Sequence, residues 1–143
     1  MTFDELTDAL KDRFGEHGRQ VEPHHWMYEV MTDSRRSQVV HLLCKQTTVD
    51  GDDVSRVVAV SPIGKRPSRL DGEYLLRMNA RLDVGAISIE DFRDDEGDLV
   101  SYLTLRASHL LSTMDFEEVW EMIEKVARVA DRLEKEIYAS DIH

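Results

Sequence analysis

The sequence predicts an α+β domain. Its elements run α-β-β-β-α-β-β-α, with one mostly antiparallel five-stranded sheet and a long C-terminal helix packed on it. Three observations carry that expectation. Val119, Ile123, Val126, Ala130, Leu133 and Ile137 recur in alternating steps of four and three, which puts them on one helical seam. Five shorter runs are rich in β-branched and aromatic residues, as half-buried strands require. The turns inside each group of strands are short and polar, so consecutive strands should lie side by side and antiparallel. At 143 residues the chain fits a single domain, 1–143, with a core large enough to stand without disulfides.

The first helix is expected over 2–14. Thr2 and Glu5 form the T-x-x-E capping pattern, and Phe3, Leu6, Leu10 and Phe14 follow at helical spacing. Gly15 and Gly18 end it. Strands are expected over 24–32, 38–49 and 54–63, as a three-stranded meander. Asp50-Gly51 between the second and third is a hairpin signal. Residues 61–72, with two prolines and two glycines, read as a loop leaving the sheet. A short helix over 73–81 comes next, with Leu75, Met78 and Leu82 on one stripe and Asn79 on the same stripe. Strands over 84–92 and 98–107 follow, joined by the turn Arg93-Asp94-Asp95-Glu96-Gly97. The last helix spans 115–138 and opens on D-x-x-E at Asp115 and Glu118. Its polar faces carry Glu121 with Lys125 and Glu124 with Arg128, both in the favoured i,i+4 order.

Composition excludes several classes. A net charge of −11 repels phosphate backbones, so nucleic acid is not an expected partner. No run approaches the roughly 20 apolar residues of a membrane span, and the acidic amphipathic N-terminus is unlike a secretion signal. Cys44 is the single cysteine, which suits a reducing compartment and a cytoplasmic location.

The search for chemistry finds no glycine-rich phosphate loop, no nucleophile elbow and no close cysteine or histidine spacing that would hold zinc. His24 and His25 are adjacent in a strand and point to opposite faces, and His41 and Cys44, three apart, do likewise. The acidic turns at 50–53 and 94–98 lack the twelve-residue calcium-loop pattern. The expectation is therefore no enzyme, no metal and no cofactor. The loop Gly64-Lys65-Arg66-Pro67-Ser68-Arg69 is a basic exception to the acidity.

Leu75, Leu76 and Asn79 in the middle helix, followed by Gly85 at the start of the fourth strand, complete a pattern. Together with the element order, they resemble the type III secretion chaperone-like fold, including the YbjN-type bacterial proteins. The resemblance implies a small, acidic, non-catalytic protein. It implies a homodimer that holds an extended segment of another protein or peptide against apolar surface, or a regulator of the YbjN type. Trp26, Tyr28, Phe92, Tyr102 and Trp120 are the candidate contacts. An alternative is a small-molecule-sensing regulatory domain with a ligand between the sheet and the last helix. Asn79 is expected to be at least partly buried and to bond to main chain where the short helix meets the sheet, with Gly85 permitting close approach.

Overall fold

A computed structural model of the chain describes residues 1–138. Helix α1 (Phe3–Phe14) is followed by a 3-10 turn and four strands, β1 (Gly18–Glu22), β2 (His25–Met31), β3 (Ser37–Val49) and β4 (Asp52–Lys65). Helix α2 (Gly72–Asn79) leads into β5 (Ala86–Arg93) and β6 (Leu99–Leu110), and a second 3-10 turn precedes α3 (Phe116–Tyr138). The sheet is six-stranded in the order β1-β2-β3-β4-β6-β5, and every pairing is antiparallel.

Two expectations need correction. The sheet has six strands rather than five, because β1 precedes the first expected strand. Four of its five residues are exposed, so it carries no apolar alternation to announce it. It forms through main-chain pairing with β2. Second, β4 continues to Lys65, through residues expected to form a loop. The register with β6 shifts between Pro62 and Gly64, and pairing with β3 ends at Val60, so the proline sits where β4 is paired on one side only.

Side-chain periodicity places the core. Phe3, Leu6, Leu10 and Phe14 of α1 are all buried, and Thr2 Oγ1 accepts from the Glu5 amide at 3.1 Å to start the helix. On α3 the six seam residues are each at most 3% exposed. Burying each of the larger ones contributes about 1.5–3 kcal/mol, so the seam decides where this helix lies. Asp115 starts α3 by accepting from the Glu118 amide at 2.8 Å. Trp120, about 100° off the seam, is half-buried and packs against Phe14 with ring centroids 4.9 Å apart. The Asp50-Gly51 turn has positive φ at both residues, 50° and 84°, as a two-residue hairpin turn demands.

Asp131 is a buried carboxylate, 5% exposed, on the core side of α3. Arg36, in the turn between β2 and β3, reaches it at 2.7 Å, and Lys135 reaches it at 3.4 Å. Burial pushes the carboxyl up, but the hydrogen bonds and charges of Arg36 and Lys135 outweigh it and hold Asp131 below the usual carboxylate range. A depressed folded-state value stabilises the fold above the unfolded value of about 4 and is lost as pH falls through the folded one. Acid unfolding followed by circular dichroism should therefore show a smaller loss of stability below about pH 4 in Asp131→Asn than in the parent. Equal losses would remove Asp131 from the acid response.

At the junction of α2 and β5, Asn79 ends the helix half-buried. Its Nδ2 donates to the Ile87 carbonyl at 3.2 Å, and its Oδ1 accepts from the Ile87 amide at 2.6 Å. Strand β5 is the sheet edge, so one side-chain amide satisfies both main-chain groups there as a neighbouring strand would. Asn79→Ala should cost about 1–3 kcal/mol in urea unfolding. A change under a few tenths would show that water replaces the amide freely.

Candidate functional site

Strand alternation gives the sheet two unlike faces. The face formed by Tyr28, Val40, Leu42, Val57, Ala59 and Leu105 joins α1, α2 and α3 in one apolar core. The opposite face carries Met27, Val39, His41, Leu43, Val58 and Val60 in the middle strands. Val58 and Val60 are buried, yet they lie outside that core. We call this second face the open face.

Toward the β5 edge, the open face becomes exposed and aromatic. Phe92 and Tyr102, 50% and 36% exposed, meet edge to face with ring centroids 5.7 Å apart. They line a mostly apolar hollow of about 210 Å³ together with His41, Val60, Pro62, Glu90 and Thr104. Glu90 is paired with Arg106 at 2.6 Å, and Ser88 and Thr104 share a hydrogen bond of 2.9 Å. Toward the other edge, His25 Nε2 and His41 Nδ1 are 2.8 Å apart. Burial and then the neighbouring His25 hold the His41 imidazole below its ordinary value, with Glu90 opposing them.

Charge separates this face from the rest of the molecule. From β2 to β6 it carries Lys45, Arg56, Lys65 and Arg106 against Glu29, Asp52 and Glu90, four basic groups and three acidic. That sums to +1, where the whole chain is −11. The acidity lies elsewhere, on the helices, the turns and the edges.

The structure divides the five candidate contacts. Phe92 and Tyr102 lie together on the open face. Tyr28 is a correction: at 1% exposed it belongs to the core and cannot meet a partner. Burial also raises its phenol far above the usual tyrosine range. Trp26 and Trp120 are half-buried on the helix side, packed against the core, with Lys11 over one ring and Arg13 over the other. Of the signature residues, Leu75 is buried and Leu76 is 71% exposed.

The other sequence features serve the fold. In the basic loop, Arg66 donates twice to the Leu70 carbonyl, and Arg69 donates to the Ile137 carbonyl near the C-terminal end of α3. Asp94, Glu96 and Asp98 bring three exposed carboxylates within 4.8 Å of one another. Asp94 Oδ1 accepts from the amides of Glu96 and Asp98, which shapes the hairpin turn. Cys44 faces the core side, and burial pushes its thiol above the usual range, so it is protonated at neutral pH. A groove of about 370 Å³ runs between Val84-Gly85, Ala107 and α3, with Glu118, Glu121 and Lys125 on its rim. No helix among the described residues is long and apolar enough to cross a membrane.

Sequence spacing could not reveal the His25–His41 contact. The two are sixteen residues apart and meet only through the β2–β3 register, in which Met27 faces His41 and His25 faces Leu43. Compared with known proteins, the chain matches no family model, no curated protein and no solved structure.

Proposed function

We propose that this protein is a non-catalytic, protein-binding adaptor that works as a homodimer, in the manner of the secretion chaperones and YbjN-type regulators it resembles. The observation that carries the reading is the open face, an apolar sheet surface with a net charge of +1 on a chain of −11. Two acidic copies repel each other through most of their surfaces. Through their open faces they bring together near-neutral apolar surface, with Phe92 and Tyr102 as the exposed aromatic anchors. The helix side is already filled by its own core.

Light scattering at high micromolar concentration should give a dimer for the parent. A double variant, Phe92→Glu with Tyr102→Glu, should give a folded monomer by circular dichroism. A monomeric parent, or a double variant that stays dimeric, overturns this interface. The adaptor role is tested separately: a pull-down with the parent should return a protein partner, and an empty one counts against it. The groove beside α3 supports a second reading, a small-molecule-sensing regulatory domain. Stabilisation by metabolites in a thermal-shift screen would favour that reading.

A further inference from the structure

We propose that His25 and His41 form a two-nitrogen chelate for a late first-row divalent metal ion, copper(II) or nickel(II). The argument begins with the distance. His25 Nε2 and His41 Nδ1 are 2.8 Å apart. With metal–nitrogen bonds of about 2.0–2.1 Å, two ligands at that separation subtend roughly 85–90° at the metal. That is the angle of neighbouring positions in square-planar, tetragonal or octahedral coordination. A tetrahedral zinc site needs about 3.3 Å between ligand nitrogens at the same bond length. The separation is that of a hydrogen bond, so the rings must turn to aim both lone pairs at an ion, and the choice of copper(II) over zinc rests on the affinity order of nitrogen ligands.

The two side chains are also prepared for the task. They project from adjacent strands on the open face, and their rings lie 5.0 Å apart between centroids. Backbone pairing through the β2–β3 ladder fixes the separation of their Cα atoms, so a metal has only the two side-chain rotamers left to order. In the metal-free pair, one facing nitrogen carries the shared proton. On binding, that proton leaves the facing nitrogen and the same ring takes one up on its other nitrogen, a change of tautomer, so two neutral imidazoles bind with no net proton released. In the single chain both rings are half-buried rather than enclosed, which leaves the remaining coordination positions to solvent or to a second copy docked on the same face. The Glu90 carboxylate shares the hollow beside His41, where Arg106 pairs with it at 2.6 Å.

His41 lines the same hollow as Phe92 and Tyr102, so binding is counted per chain both in the parent and in the Phe92→Glu, Tyr102→Glu variant, which separates it from the homodimer reading. The test is titration of the untagged 143-residue chain with copper(II) in a weakly coordinating buffer, followed by calorimetry and electron paramagnetic resonance. One ion per chain is expected, with hyperfine structure from two imidazole nitrogens. His25→Asn and His41→Asn should each weaken binding by about tenfold or more, while His24→Asn, on the neighbouring position, should not. If either variant fails to fold by circular dichroism, the other still decides. Absence of copper binding in the parent overturns the proposal, as does unchanged binding in the folded variants.

Discussion

Gly85→Val is expected to destabilise the protein by roughly 3–5 kcal/mol, from backbone strain and forced overlap together. Gly85 has φ +75°, a conformation that a β-branched residue avoids. A Cβ built there lies 2.8 Å from the Arg106 carbonyl oxygen and 3.4 Å from Leu105 Cγ. The first contact is with main chain inside β6, which cannot rotate away as a side-chain tip would. Relief must come from the start of β5, and moving that strand disturbs the Ala86–Arg106 and Ile87–Leu105 pairs. Asn79 holds the same segment through the Ile87 amide and carbonyl. Both positions act on the start of β5, so Gly85→Val and Asn79→Ala should couple in a double-mutant cycle. Urea unfolding of the four proteins measures both effects. A cost below about 1 kcal/mol for Gly85→Val would mean that the β5 edge yields easily.

The junction of α2 and β5 shows how far local sequence can go. An amide on an otherwise apolar stripe, at the end of a short helix, needs main-chain partners. A glycine six residues later marks a close approach. Both readings concern neighbours in sequence, and short-range geometry suffices for them. The seam of α3 was legible for the same reason: its period is local. Strand β1 was not, because its side chains face water and its stability is main-chain pairing, which leaves no mark in the residues. The continuation of β4 through Pro62 was hidden because proline argues against a flanked strand, and the sequence does not say that pairing with β3 has ended at Val60.

The open face lay beyond sequence reasoning for a different reason. The run Val39-Val40-His41-Leu42-Leu43 is apolar at both parities, so alternation does not say which side the helices take. The two-residue turn at Asp50-Gly51 fixes the pairing of β3 with β4, and thereby which residues share a face. It does not say which face stays uncovered. That depends on α1, α2 and α3 all packing on one side, a tertiary fact. Trp26, Tyr28, Phe92, Tyr102 and Trp120 are all large aromatic residues in the sequence. The fold sends three of them toward the helices and leaves Phe92 and Tyr102 together on the other side.

Ile123→Ala is expected to cost about 2–5 kcal/mol, the range for truncating a large aliphatic side chain in a closed core. Ile123 has no exposed surface and sits near the centre of the α3 seam, between Val119 and Val126, which are equally buried. The helix crosses β3, β4 and β6, the middle strands of the sheet. A cavity opened there is bounded by sheet on one side, where main-chain pairing resists collapse. The upper half of the range is therefore expected. Alanine has the higher helix propensity, which offsets only a few tenths of a kcal/mol. An exposed site on the same helix supplies the control. Arg132 is exposed, with a 3.9 Å ion pair to Glu136, and Arg132→Ala should change stability by no more than about 0.5 kcal/mol. Equilibrium urea unfolding of both variants, with matching slopes, separates the two cases. A loss below about 1 kcal/mol for Ile123→Ala would show that the seam closes over the missing carbons, and that α3 is held by something other than packing on the sheet.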